Sequence, residues 1–412
     1  MKSPIYSHLH LVKYDTNKSI YLFVHNVVKM LWASMISLFI PAFLYSFLGL
    51  PIWQIMIFMA VMSSMNVIIS VFVSGPLLQR YNPKNIMIIW VIFFSWYLFL
   101  LYLSQIYYWY IYLAPIIAWI YNGLFRVSFN YNSILEHKNN PNFDKTYVDF
   151  AIFSNIGIAF GPFIWWYITF KYGIVMTLWI ATILVMLSII PLLFYKSKKE
   201  NNHRKEVSIK EFLHTLWFTI KQKKTKTIYK TFLMVAYNNI IAGVVWPLLI
   251  FLFVHEFQKI WFISTITTII TILILYILSR LQQNKKHIKV VTIMQSLNRN
   301  AWAIFTIIGF LISPIIIFID TIQKILANIN DNTLDELFFD YADNDDSKEY
   351  SKLYSILLRD ISLHGSKIWL FLILAIIHYY YPVSIFTLIV PMMITVLLVK
   401  LSWEIIKANK QL

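Results

Sequence analysis

With 59% hydrophobic and only 13% charged residues, this chain of 412 residues departs from soluble globular domains, where about a quarter of residues carry charge. A net charge of +16 on a soluble protein would point to nucleic acid, but here the basic residues flank apolar runs, and membrane orientation accounts for them without a nucleic-acid partner. The absence of cysteine excludes disulfides, thiolate metal sites and cysteine nucleophiles.

Crossing a hydrocarbon core of roughly 30 Å takes about 20 residues of helix. Apolar runs of that order recur at 20–48, 51–78, 86–104, 108–130, 147–169, 173–195, 230–254, 260–279, 289–309, 313–330, 353–379 and 382–401. They are continuously apolar, unlike the alternating strands of about ten residues in a membrane β-barrel. Met1 to Ser19 is polar and the first run is too long for a signal-peptide core, so no cleavable leader is expected. The expectation is an all-α polytopic membrane protein with twelve transmembrane helices in two six-helix bundles.

The chain divides at Lys196 to Lys230, which carries eleven Lys or Arg against three Glu. Residues 1–195 form the first bundle, 196–229 a basic cytoplasmic connector, and 230–412 the second bundle. Within the connector, Ile209, Phe212, Leu213, Leu216, Trp217 and Ile220 recur at helical spacing, and Ser208 with Glu211 has the form of a capping box. An amphipathic helix along the inner membrane surface is expected, with anionic headgroups as partners of the 208–226 region.

Alternate loops differ in charge. One set, around 49–51, 104–107, 170–173, 255–259, 310–313 and 379–382, holds only Lys171 and Lys259. The other includes Lys13, Arg80, Lys84, Lys138, the central cluster, Arg280 and Lys407. Basic flanks are retained inside, which places both termini in the cytoplasm and the protein in the cytoplasmic membrane as a multi-pass protein. The loop from Asp331 to Lys352 carries eight acids and two Lys; it is read as a solvated loop or as a partner of the basic connector.

The same punctuation occurs twice, in the same order. Ile40-Pro41 in span 1 matches Trp246-Pro247 in span 7. Asn122, Arg126, Asn130 and Asn132 in span 4 have the spacing of Asp320, Lys324, Asn328 and Asn330 in span 10. Phe160-Gly161 in span 5 matches His364-Gly365 in span 11. One duplicated six-helix unit explains the offsets, and parallel halves related by an axis along the membrane normal place a substrate site between them.

Between spans 2 and 3 the sequence Gly75-Pro76-Leu77-Leu78-Gln79-Arg80-Tyr81-Asn82-Pro83-Lys84 resembles the loop motif of the major facilitator superfamily at Gly75, Leu77, Arg80 and Lys84. Gln79 replaces the motif's acid and Asn82 its second glycine. Gly161-Pro162 is similar to the family's Gly-Pro element in span 5. Phe39 to Tyr45, Pro51 to Ile55, Trp246 to Leu248 and Arg359 to Gly365 resemble an uncharacterised prokaryotic branch. The resemblance implies a secondary transporter, not an enzyme, that moves a small solute by alternating access as a monomer and without a cofactor.

Ionisable groups inside spans are costly and mark functional candidates. Lys29 in span 1, with His25 one turn away, either snorkels or faces the centre. Arg299, flanked by Asn298 and Asn300, lies at mid-depth in span 9 and either lines the pathway or pairs within its bundle. The gate or coupling candidates are Lys29, Arg80, Glu136, Asp320, Lys324, Arg359, Asp360 and His364; an intrahelical Asp320–Lys324 pair and a folding ion pair in span 11 are the bland alternatives. The substrate-binding candidates are Trp32, Asn66, Asn122, Arg126, Asn238, Asn239, Arg299 and His378, against interhelical hydrogen bonding for Asn and His and lipid contact for Trp. Cations outnumber acids within the spans, which favours an anionic, zwitterionic or lipid-like solute. The other readings are a membrane enzyme acting on lipid-linked substrates and a lipid scramblase. No metal motif, P-loop or Gly-x-Ser-x-Gly is found. If Arg299 binds the solute, Arg299→Gln abolishes the ligand-induced thermal shift of the purified protein while the apo melting transition stays; an unchanged shift removes Arg299 from the site.

Overall fold

The computed structural model describes residues 17–37, 40–46, 48–104, 106–107, 109–139, 143–195, 208–221, 232–254 apart from 234 and 238, 262, 264–274, 321–322, 324–325 and 351–381. Among the described residues all regular structure is helical. The elements are α1 (Asn17–Ser37), α2 (Ile40–Ser46), α3 (Ile52–Ile69), α4 (Gly75–Arg80), α5 (Pro83–Leu103), α6 (Tyr110–Asn139), α7 (Phe143–Leu187), α8 (Ile189–Phe194), α9 (Ile209–Lys221), α10 (Trp246–Val254) and α11 (Ser351–Tyr380). Among the described residues, five segments are long and apolar enough to cross a membrane: Ile52–Leu78, Pro83–Leu103, Tyr110–Asn132, Val175–Phe194 and Leu353–Tyr380. The expected spans at 289–309 and 382–401 lie outside the described residues, as does most of 313–330.

Prolines and one glycine set the breaks. Two π-helical turns, Ser70–Ser74 and Ile241–Val245, each stand directly before a residue pair ending in proline, Gly75-Pro76 and Trp246-Pro247. Proline lacks the N–H that would bond the carbonyl four residues back, here Phe72 and Gly243, and its ring pushes that carbonyl away. The widened i→i+5 ladder absorbs the mismatch without ending the helix. Pro115 and Pro162 are carried inside α6 and α7. Gly173 splits α7 at φ 80, ψ 168, a left-handed conformation that a Cβ would strain; the expected boundary between 147–169 and 173–195 falls there.

The loop between α4 and α5 has a local explanation. Asn82 takes the N-cap position of α5, its side-chain oxygen accepting from the Lys84 N–H at 2.9 Å, and Pro83 occupies the first turn. Lys84 Nζ donates to the Leu193 carbonyl at 2.7 Å, tying this loop to the end of α8.

The outside of the bundle is apolar: Phe72, Trp96, Phe160, Ile183 and Leu193 are exposed. In water such a surface would be an association hazard; in hydrocarbon it is the solvent-facing side of a multi-pass membrane protein. Lipid contact offers no hydrophobic gain for helix pairing, so close packing between small residues must supply it. Gly157 and Gly161 of α7 do so against α1: a Cβ on Gly157 would lie 2.8 Å from the Val27 carbonyl oxygen and 3.0 Å from the Leu31 nitrogen, and one on Gly161 would meet Ser34 and the Leu31 carbonyl. Ser34 Oγ donates to the Leu31 carbonyl at 2.9 Å and reaches the Gly157 carbonyl at 3.3 Å. Gly157→Ala is expected to lower stability by about 1–3 kcal/mol, because the atoms it meets are backbone and cannot swing aside. Gly243→Ala, with nothing among the described residues within 4 Å, leaves stability unchanged or slightly raised. Thermal melting of both variants in detergent checks the pair.

Candidate functional site

The site lies where the helix through Ile52–Arg80 runs antiparallel to α11. At one end Trp53 meets Tyr379 edge to face, ring centroids 5.5 Å apart. At the other, the place of a Cβ on Gly75 is 3.1 Å from Leu357. The two contacts are twenty-two positions apart on each helix, about 33 Å at 1.5 Å per residue, enough to cross a hydrocarbon core. The first end is apolar, with Ile52, Met56, Met59 and Ala60 packed in one core with Tyr237, Ile240, Val244, Phe371 and Leu374. The first half of the chain thus touches two separate segments that follow residue 230 in this seam.

Towards the middle the facing stripe of the first helix turns polar at Ser63, Asn66 and Ser70, continuing the three-to-four-residue spacing of Met56 and Met59. On α11 the corresponding stripe reads Lys367, His364 and Asp360. Ser70 Oγ donates to Asp360 Oδ2 at 3.2 Å, a bond from the π-turn of span 2 to span 11. Arg126 of α6 donates from Nη1 to His364 Nε2 at 3.4 Å. Since Arg can only donate, the neutral imidazole carries its proton on Nδ1. Asp360 is 1% and His364 5% exposed. Asp360 lies in the field of Arg126, Arg359 and Lys367, so three cations surround the one carboxylate described in the seam. Arg359 also stands 5.5 Å from the centre of the Phe232 ring.

Several polar atoms here are buried without a hydrogen-bond partner among the described residues: Asn66 Oδ1, Tyr237 OH, Asp360 Oδ1 and His364 Nδ1. Such groups are expensive in a closed interior, and here they gather where the two halves of the chain meet.

The structure brings Arg126, Asp360 and His364 together, with Asn66 and Arg359 in the same seam. Lys29 does not snorkel: its Nζ lies 3.5 Å from the Phe125 ring centroid, with Trp90 and Phe129 at 5.8 and 5.7 Å. His25 borders the same Trp90 and Phe125 and donates from Nδ1 to the Ser188 carbonyl at 2.8 Å, beside the break that precedes Pro191. Trp32 is buried against Phe94 and Trp90, in the core between α1 and α5. Lys324 Nζ bonds Thr267 Oγ1 at 2.7 Å and the Ser264 carbonyl and hydroxyl at 3.2 and 3.3 Å, a contact inside the second half. Asn122 and Asn239 are half-buried, His378 is buried, and Arg80 is exposed at the end of α4. Asn238, Arg299 and Asp320 lie outside the described residues, and so does the side chain of Glu136. Ser70 was not singled out in the sequence; its signal is a serine pair, Ser70 and Ser74, one turn apart in an apolar run before Gly-Pro. Ser74 Oγ donates to the Gly123 carbonyl at 2.9 Å, so the two hydroxyls serve different neighbours.

Asp360→Asn removes the negative charge that Arg126, Arg359 and Lys367 surround. It is expected to cost about 3–5 kcal/mol, as breaking a buried pair from one side does. Adding Arg126→Gln recovers part of that loss. Melting of the two variants in detergent measures it; equal melting of Asp360→Asn and the parent protein would remove Asp360 from the balance.

No family model and no curated protein sequence matches the chain. Solved structures do. The human organic anion transporter MFSD10 (TETRAN) superposes with a TM-score of 0.70 at 10% identity, covering 94% of this chain and 98% of that one. The nucleoside transporter NupG superposes with a TM-score of 0.65 at 13% identity, covering 96% of this chain and 99% of that one. At these identities the likeness speaks for architecture, and the chain has the fold of the major facilitator transporters.

Proposed function

We propose that the protein is a secondary transporter, not an enzyme, that carries a small anionic or zwitterionic solute across the cytoplasmic membrane by rocking its two six-helix bundles about the seam. The observation that carries this reading is the polar seam itself. Ser70–Asp360 and Arg126–His364 join the halves between two flanking closures, Trp53–Tyr379 at one end and Gly75–Leu357 at the other. A permanent interface gains little from buried unsatisfied polar atoms, whereas a seam that opens to a solute exchanges its internal bonds for bonds to that solute.

Charge supports the substrate class. Arg126, Arg359 and Lys367 stand in or beside the seam against Asp360, so an incoming carboxylate or phosphate gains more than an incoming cation. Arg126 suits that role, since its guanidinium presents a fork of donors and keeps its charge. Ser70, Asp360, Arg126 and His364 form the closure that must part when the inner end opens. Arg299 remains a candidate on the second half.

The test uses the absence of cysteine from the chain. Trp53→Cys combined with Tyr379→Cys, bridged through two disulfides by a bis-methanethiosulfonate in reconstituted vesicles, is expected to stop saturable uptake of a solute found by thermal-shift screening, and reduction is expected to restore it. Unimpaired uptake by the bridged protein would defeat alternating access at this seam. Arg126→Gln is expected to weaken uptake of an anionic solute at least tenfold in apparent affinity, the loss of one charge-assisted bond of about 1.5–3 kcal/mol. Turnover of a lipid-linked compound without net solute movement would favour a membrane enzyme instead.

A further inference from the structure

The connector helix α9 differs from its expected placement in a way that exposes a second surface. Ser208 caps it as expected, its Oγ accepting from the Glu211 N–H at 3.2 Å. The apolar stripe expected on the bilayer is turned into the protein. Phe212 and Leu216 are buried; Phe212 stacks on Tyr354 at 5.3 Å and lies 2.5 Å from where a Cβ on Gly75 would stand. Trp217, expected on that stripe, faces elsewhere.

On a 3.6-residue period Lys210, His214, Trp217, Phe218 and Lys221 share the opposite side of α9. All five are exposed, Trp217 by 58% and Phe218 by 65%. Lys221 Nζ lies 4.9 Å from the Trp217 ring centroid. The face joins two large aromatics to two lysines, and the acid of this helix, Glu211, stands at its edge. Its depth is set by the contact with Gly75, which belongs to the apolar segment Ile52–Leu78. The inner side of α9 therefore touches the last turn of a membrane-crossing helix, at the level where acyl chains give way to headgroups. Aromatic rings and lysines are the side chains that favour this level, and cations gain there from anionic lipid.

We propose that this outer face of α9 docks on an anionic lipid surface, Trp217 and Phe218 entering the acyl boundary and Lys210 and Lys221 engaging headgroup phosphates. The inner face meanwhile holds Phe212 between the ends of α4 and α11. The helix is thus a strut from the bilayer to the inner end of the seam.

The chain has no cysteine, so Phe218→Cys in the full-length protein gives one site for a nitroxide. Its collision rates with oxygen, which concentrates in acyl chains, and with a water-soluble nickel chelate are read in two kinds of vesicle, phosphatidylcholine alone and a mixture rich in phosphatidylglycerol. The expected result is a several-fold preference for oxygen in the phosphatidylglycerol mixture, reduced in phosphatidylcholine and reduced in the mixture by Lys210→Gln with Lys221→Gln. Free access of the nickel chelate in both vesicles would overturn the assignment by placing the face in water. Shielding from both reagents would overturn it in favour of a protein partner. Equal oxygen preference in both vesicles, unchanged by the lysine substitutions, would overturn recognition of anionic headgroups. None of these readings depends on transport.

Discussion

The antiparallel contact between the helix through Ile52–Arg80 and α11 bears on every other feature of the molecule. It is apolar at one end, polar in its middle third, and closed at the other end by Gly75, Leu357 and Phe212. Helices in lipid gain nothing from merely being apolar. What holds this pair together is close approach and a few hydrogen bonds, and both are local enough to be broken and remade. The glycine-mediated contact of α1 with α7 is of another kind, backbone against backbone over Val27 and Leu31.

Burying charge at the seam follows the same logic. Asp360 is almost fully enclosed, yet among the described residues it is bonded by one hydroxyl at 3.2 Å and stands among three cations. A fold seeking stability alone would neutralise and saturate such a group, or replace it with hydrocarbon. Lys29 shows a contrasting setting: its Nζ sits over the faces of aromatic rings from two other helices, with no acid beside it among the described residues. The two settings separate a cation held among helices of the first half of the chain from a network that joins the first half to α11.

The prolines give the fold its positions of bend. Pro76 and Pro247 each sit just past a π-helical turn, where the carbonyl four residues back has lost its donor. In span 2 that turn contains Ser70 and Ser74, and the altered ladder accompanies their division between Asp360 and the Gly123 carbonyl. Backbone irregularity and the polar contact between halves thus coincide at one place, as π-turns in functional helices tend to do.

Length and continuity of the apolar runs determined that the chain is helical and membrane-embedded, because a bilayer demands about 20 residues per crossing and satisfied backbone bonds throughout. The helices at 83–103, 110–139 and 351–380 lie close to the runs read at 86–104, 108–130 and 353–379 for that reason. Ionisable residues such as Arg126, Asp360 and His364 were legible as candidates because hydrocarbon penalises them wherever they point. Which of them meet was not legible. The pairing of Arg126 with His364 spans 238 positions and that of Ser70 with Asp360 spans 290, and no local pattern encodes such a juxtaposition. The same limit applies to Trp32, an aromatic ring that could stack on a ligand but is packed against Phe94, and to α9, whose helical period was plain while the partner of each face was not. Periodicity states which residues share a side; only the tertiary structure decides what that side touches.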